Sequence, residues 1–542
     1  MAAEQIIRRF EQLKNNRINW ENHWQELADY VLPRKDDIYS TRIHGEKKYN
    51  KIFDSTGIHA NELLASALHG MLTNPSTQWF ELTTGDEVTD QDDDVRLWLQ
   101  TAVRQMHKIL NNSNFQTEIH EVYLDLGSFG TSCMRMEEDD EEVIRFQSRP
   151  IYEAYVDQNN KGSIDTVYRS FSWTARQIQQ EFGEEALTED MKQQIEGKLH
   201  DRADQYEIIH AVEPLTDKYD GPKLKGKGFA FRSIYVLKEK RKIISYSGFK
   251  EFPYLVPRWT KIAGEVYGRS PAMKALADIK MINQVMKTTI RSAQKTVDPP
   301  LMMPDDGILL PIKTAPGGIN YYRAGSADKI EPLQTGSRVD FGFQMMEQIR
   351  MRIREAFFID QLQLGSGPQM TATEVSQRTE EKLRLLGPIL GRQQFELLRP
   401  LIDRLFNIMV RKKLFPPAPP VLAEVMLQVR YSSQIAKAQR SADAQSFMRV
   451  FEIIGPLFQS KPEMLDNLNG DQLLRYVSRA YGLPEEVLNP LQEVIQQRMA
   501  RQEQMAMAQQ MQQEQHESEV VQKSTPAMKM MQEAVPPEEV AV

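Results

Sequence analysis

Several short stretches of this sequence carry residue types that do chemistry when they are suitably spaced. Asp54-Ser55-Thr56-Gly57 sets hydroxyls beside a carboxylate, as a nucleophilic serine or a phosphate loop would. A nucleophile needs a partner base and an oxyanion site, and this turn lacks the G-x-S-x-G spacing of a nucleophile elbow. Asp, Ser and Thr also accept hydrogen bonds from the free N–H groups that open a helix. Ile58, Leu63, Leu64, Ala67, Leu68 and Leu72 then follow at helical spacing, so the turn is read as a helix start.

Residues 221–228, GPKLKGKG, approach a Walker A loop with Lys227 in the lysine place, but Gly228 stands where a Ser or Thr would ligate magnesium. A phosphate loop must also feed a helix N-terminus, whereas GFAFRSIYV alternates like a strand, so a hairpin turn is expected. The acidic stretches GDEVTDQDDD and Glu137–Glu142 lack the spacing and glycine of an EF-hand and read as exposed turns. The nine histidines are scattered, and the single Cys133 excludes an internal disulfide and a cysteine-rich zinc site. That cysteine usage suits folding in a reducing cytoplasm. No catalytic constellation, metal site or cofactor is predicted.

The elements that would position any site come from hydrophobic periodicity. The 542 residues exceed one ordinary core, with 41% hydrophobic and 26% charged residues and a formal charge of −8. Nothing global marks a nucleic-acid binder, so a DNA contact would rest on a local basic strip. The amphipathic N-terminus is no signal peptide, and no run reaches the roughly 18 apolar residues of a membrane helix; a soluble chain is expected. Helices are predicted over 4–32, 57–73 and 94–126, then a β-rich section over 130–262 with a helical insertion at 174–199. Helices follow at 270–297, 338–358 and 372–415, the last bent at Gly387-Pro388 and Arg399-Pro400. After the linker FPPAPP come a strand-like VMLQVRYSS, helices over 434–500 and a Gln/Met-rich tail.

Within that order, the helix SPAMKALADIKMINQVMKTTIRSAQKTV is the most informative piece. At 100° per residue, Ile279, Ile282, Met286, Ile290 and Ala293 share one arc. Lys280, Lys287, Arg291 and Lys295 share the other side, either as a solvated face or as a basic strip beside a polyanion. The segment 359–371 is a polar, nearly uncharged loop containing Gln361, Gln363, Ser366 and Gln369, closed by the capping box Thr371-Ala-Thr-Glu374.

The stretches DSTGIHANELLASALHGMLTNPSTQWFEL and PRWTKIAGEVYGRSPAMKALADIKMINQ, with the order helix, Pro/Gly-rich insert, helix, polar loop, kinked helix, resemble the head-to-tail connector (portal) family of short-tailed, T7-like bacteriophages. The resemblance covers about residues 15–420. It implies an α+β, elongated portal-type subunit that hydrolyses nothing and assembles into a ring of about twelve copies around an axial DNA channel. The implied parts are a wing over 1–267, stem helices over 268–297 and 338–358, and a clip over 298–337 that includes Leu309, Leu310, Tyr321 and Tyr322. A tunnel loop would follow over 359–371, wing again over 372–430, crown helices over 431–500 and a partly disordered tail over 501–542.

The implied channel residues are Gln361, Gln363, Ser366 and Gln369 of the tunnel loop, with Lys280, Lys287, Arg291 and Lys295 of the stem. Ile279, Ile282, Met286 and Ile290 would pack between subunits. The implied partners are other copies of the chain, non-specifically bound double-stranded DNA, the terminase motor, a tail adaptor at the clip, and capsid shell and scaffold proteins, with no membrane. The protein would sit at the portal vertex of the virion, and in the host cytoplasm during assembly. Two rival readings are another virion component, such as an internal scaffold or ejection protein, and a metal-dependent nucleic-acid enzyme. The β-rich middle section argues against the first, and the lack of paired carboxylates against the second.

Overall fold

A computed structural model describes residues 2–35, 37–39, 45–90, 92–196, 205–215, 228–302, 311–312, 319, 321, 331–332, 339–362, 386–424, 427–431, 452, 469–480, 487–489 and 493–511. It contains mixed helix and strand, as an α+β fold should, in two compact units. The larger comprises Met1–Leu82, Ala102–Pro417 and Val429–Ile435, and the smaller Thr83–Thr101, Ala418–Gln428 and Ala436–Val542.

In the larger unit, α1 (Ala2–Val31) packs its apolar stripe on a five-stranded antiparallel sheet. That sheet runs β4 (Ala154–Gln158), β5 (Ile164–Thr174), β6 (Gln205–Pro214), β7 (Phe231–Leu237), β8 (Lys242–Phe249) in spatial order, after the short β1 (Phe80–Thr83) earlier in the chain. Ile6, Phe10 and Leu13 meet Tyr155, Tyr168, Ile209, Ala211, Ile234 and Val236 on one face. On the other face Phe171, Ile208 and Leu237 are covered by the helical insertion, where Ile178 and Met191 are buried. Arg17, 1% exposed, fixes α1 to the approach of β4 by donating to the carbonyls of Ile151, Tyr152 and Ala154 at 2.7–2.9 Å. A smaller sheet, β3 (Val143–Arg149), β2 (Cys133–Asp139), β9 (Tyr254–Leu255), completes the β-rich section.

One expectation about elements is corrected. The single helix over 94–126 is two, α4 (Asp93–Asn112) and α5 (Phe115–Phe129), because Asn114 leaves the helix and exchanges hydrogen bonds with the backbone of Phe146 at 2.7 and 2.9 Å. At Arg399-Pro400 the described helix over 386–411 continues with one π turn, Gln394–Leu398, just upstream. A wider turn at that point accommodates a proline that has no N–H to give and crowds the preceding carbonyl.

Strands β6 and β7 pair antiparallel around the GPKLKGKG segment, so the sequence after it is a strand rather than a phosphate-binding helix. Residues 221–227 themselves lie outside the described residues. In the smaller unit the acidic turn spends its carboxylates on local structure. Asp90 accepts from the Thr84 N–H and hydroxyl, Asp92 caps the start of α4, and Asp93 pairs with Arg475 at 3.0 Å. Helices Gly470–Ala480 and 493–511 are joined by an Asp471–Arg498 ion pair at 2.7 Å.

Candidate functional site

The region with the most unspent surface chemistry is a pair of helices in contact, α8 (Pro271–Val297) and α9 (Val339–Ala356). The start of α8 is tightly specified. The Ser270 hydroxyl accepts from the Met273 N–H at 3.0 Å and donates to the Ser128 carbonyl at 2.7 Å, and Pro271 follows at the first helical position. Just before it, the backbone of Gly268 presses on Gly130, which ends α5 at φ +75°; a Cβ on Gly130 would lie 2.5 Å from the Gly268 carbonyl oxygen. The glycines of SFGTS and VYGRS are therefore set by one close backbone crossing.

Further along, α8 buries Ala272, Ala275, Leu276, Ile279 and Ile282, while α9 buries Met346, Ile349 and Ile353. A cluster of polar groups holds this pair to the start of α2 (Thr56–Leu72). The Asn283 amide oxygen accepts from the backbone N–H groups of Phe53 and Asp54 at 2.6 and 3.0 Å. Arg350 donates to the Asp54 carboxylate at 2.7 and 3.2 Å, and Asp54 also accepts from the Thr56 N–H at 2.9 Å. Burial alone would raise the Asp54 pKa, but the Thr56 and Arg350 hydrogen bonds and the Arg350 charge outweigh it and hold the carboxyl below its ordinary value.

The Asp54-Ser55-Thr56-Gly57 turn is a helix start, with Asp54 rather than Ser55 making the side-chain hydrogen bond. It is also an anchor for both helices of the pair, a role the sequence reading did not assign. Asn283 was the available signal, a lone amide among the isoleucines of an apolar arc.

The basic strip divides into two halves. Lys280 pairs with Glu26 at 2.7 Å and lies over the Tyr30 ring, and Lys287 lies 5.5 Å from the Phe53 ring centroid. Arg291 and Lys295 are exposed and form no ion pair with any described residue. The apolar arc divides too. Ile279 and Ile282 are fully buried inside the subunit, which corrects their assignment to packing between subunits, because their partners lie in the same chain. Ile279 abuts Gly57, where a Cβ would meet its Cδ1 at 3.0 Å. Met286 is half-buried, and Ile290 is 41% exposed. Val297, Leu301, Met302, Phe343 and Met351 are also exposed, and Leu301–Met302 pairs antiparallel with Glu331–Pro332. Of the insert residues singled out, Tyr321 is exposed, whereas Leu309, Leu310 and Tyr322 lie outside the described residues.

The polar loop starts later than expected. Phe358 takes a left-handed conformation at φ +61°, the buried Ile359 follows, and Ile359–Leu362 forms a short helix that contains Gln361. Gln363, Ser366 and Gln369, with the capping box at 371–374, lie outside the described residues. Beyond the loop, Glu396 of the π turn accepts from the Arg258 guanidinium at 2.8 and 3.1 Å and from its backbone N–H at 3.0 Å. Gln393 donates to the Arg258 carbonyl at 2.8 Å. The PRWTK stretch thus docks the long helix, again without a signal in local periodicity.

Among the described residues no group of three or more His, Cys, Asp or Glu could hold a metal, and burial pushes the Cys133 thiol up to about 12. No described helix is long and apolar enough to cross a membrane.

Comparison with known proteins matches residues 3–488 to the family model described as bacteriophage head to tail connecting protein. The probable portal protein of Bordetella phage BPP-1 is 33% identical over 518 residues, 93% of this chain and 92% of that protein. The portal protein of Salmonella phage epsilon15 is 34% identical over 517 residues with the same coverage, and that of Escherichia phage T7 is 21% identical over 425 residues, 76% of this chain and 75% of that protein.

Proposed function

The chain belongs to the bacteriophage head to tail connecting protein family and is a phage portal protein, a structural component of the virion, and from that premise we propose that it works as one subunit of a closed ring without enzymatic activity of its own. The ring has about twelve copies joined by heterologous contacts, and its axial channel passes double-stranded DNA inward during packaging and outward at ejection. In this reading α8 and α9 are the stem, 298–337 is the clip that docks terminase and then the tail adaptor, and the loop after Leu362 narrows the channel. Residues 1–267 and 372–430 form the wing and 431–500 the crown, with the capsid shell and scaffold as further neighbours. Assembly takes place in the host cytoplasm.

The observation that carries this reading is the exposed half of the helix pair. Ile290, Val297 and Phe343 are apolar and exposed, and Arg291 and Lys295 on the same stretch of α8 form no ion pair with any described residue. Apolar side chains clustered on a surface mark a contact with another protein, and unpaired cations there suit the phosphates of a duplex. The test is electron microscopy of the purified protein in end-on view. Rings with a central hole wide enough for duplex DNA are expected, and a compact particle without a channel overturns the proposal.

A further inference from the structure

The wing contains a charged layer between its two sheets that none of the roles above uses. On the smaller sheet, Gln147, Arg135 and Tyr254 are cross-strand neighbours in one row, and Arg149 sits opposite Cys133 in the adjoining position of the same face. The larger sheet contributes the row Arg169, His210, Tyr235, again direct cross-strand neighbours. The rows meet where the His210 Nδ1 lies 3.0 Å from the Tyr254 hydroxyl and the Arg135 guanidinium approaches the Tyr254 ring. His210 also stacks on Tyr235 at 3.9 Å and lies 2.9 Å from the Ser233 hydroxyl.

The charges in this layer do not balance. Arg169 is met by Glu153 at 2.7 Å and Arg135 by Glu137, but Arg149 hydrogen-bonds the neutral Gln147 amide and shares the attraction of the Glu153 carboxylate that Arg169 already holds. Burial, with Arg169 and Arg135 close by, pulls the Arg149 guanidinium below its ordinary value. Glu153 and Glu137 each already meet another guanidinium, burial holds His210 neutral, and it raises the phenols of Tyr235 and Tyr254, so three guanidinium groups share two carboxylates. Two donors are also left over. The Nε of Arg135, a residue only 8% exposed, and the Nε of Arg149 are buried without an acceptor. Removing a charge from water without a partner is among the costliest arrangements in a folded protein.

We propose that this interlayer is a binding site for a small inorganic anion of the halide or phosphate class, held between Arg135 and Arg149 and locking the two wing sheets together. The anion neutralises the third guanidinium and accepts from both free Nε–H groups, so it binds the folded wing and not the unfolded chain. Stability then depends on anion concentration by mass action.

The test uses the full-length protein. Thermal unfolding is followed in chloride and in phosphate, each titrated against gluconate at constant ionic strength. A saturable rise of about 2–4 °C in the midpoint is expected with the small anions. Arg149→Met should abolish the rise, and Arg291→Met, on the exposed strip, should keep it. An equal midpoint in gluconate and in the small anions overturns the proposal, as does an Arg149→Met protein with the wild-type response. Should Arg149→Met not fold, crystals soaked in bromide decide the matter. An anomalous peak within hydrogen-bond distance of both Nε atoms supports the site, and a peak elsewhere or none at all overturns it.

Discussion

Arg258 is 1% exposed, and its guanidinium donates to Glu396, Gln158, and the carbonyls of Gly162 and Val266. One side chain thereby ties the β4–β5 turn, the PRWTK segment and the π turn of the long helix. Replacing it by Met leaves the Glu396 carboxylate with only the part-exposed Arg392 guanidinium, the Gly162 carbonyl with only the longer Lys261 contact, and the Val266 carbonyl without this donor. A loss of about 3–5 kcal/mol is expected, read as a lower denaturant midpoint. A loss below about 1 kcal/mol, the scale of surface pairs, would mean that the network is not structural. His210 makes a second prediction at this scale. Burial first, then Arg135, Arg169 and Arg149, holds its pKa well below 6.5. The unfolded chain therefore binds the proton first, so stability is full above pH 6.5 and declines as pH falls below it. The slope approaches about 1.4 kcal/mol per pH unit while the folded histidine stays neutral. Asp54 acts in a lower window, because its lowered folded pKa costs stability only once pH falls below 3.8, the range where the unfolded carboxyl binds its proton. Unfolding midpoints of wild type and His210→Gln between pH 7 and 5 separate the two, and parallel curves would contradict the neutral buried histidine.

At the scale of elements, apolar period was a good guide to helices and a poor guide to what covers them. The helices predicted over 4–32, 270–297 and 338–358 appear as Ala2–Val31, Pro271–Val297 and Val339–Ala356, because long amphipathic runs with a proline or a cap at one end leave few alternatives. The period could not tell that Ile279 and Ile282 pack inside the subunit while Ile290 stays exposed, since all three share an arc and differ only in how far along the helix the rest of the chain reaches. Nor could it reveal the acid opposite Lys280, which lies 254 residues away on α1. The Asn114 break and the π turn were missed for the same reason, as each answers a tertiary demand rather than a local propensity. These distinctions separate two isoleucine variants. Ile282→Asp buries a charge in the subunit core and should prevent folding, seen as lost helical circular dichroism and aggregation. Ile290→Asp should leave the subunit folded and reduce the fraction found in rings by electron microscopy. Rings at wild-type yield with Ile290→Asp would remove that side chain from the contact between subunits.

For the whole molecule, the formal charge of −8 per chain sets a physical condition on any passage of DNA. Summed over the proposed ring the protein would repel a polyanion, but beyond a Debye length of about 8 Å at physiological salt that repulsion is screened. What the duplex meets in a channel is then the nearest side chains, and their number decides between gripping and sliding. Among the described residues Arg291 and Lys295 are the exposed part of the strip with no ion pair, whereas the charge of Lys280 is already met by Glu26. A strip with only part of its charge free suits a duplex that must move, since each phosphate contact adds electrostatic affinity without sequence preference. The double variant Arg291→Gln/Lys295→Gln should therefore still form rings, bind short duplex DNA more weakly at low salt, and show a shallower dependence of affinity on salt. The log–log slope should fall by about 0.9 for each phosphate contact removed. Lys280→Gln removes the same formal charge from the same helix and should change the slope far less. Equal effects from the two substitutions would show that net charge governs the interaction, and an unchanged slope in the double variant would place the DNA path away from α8.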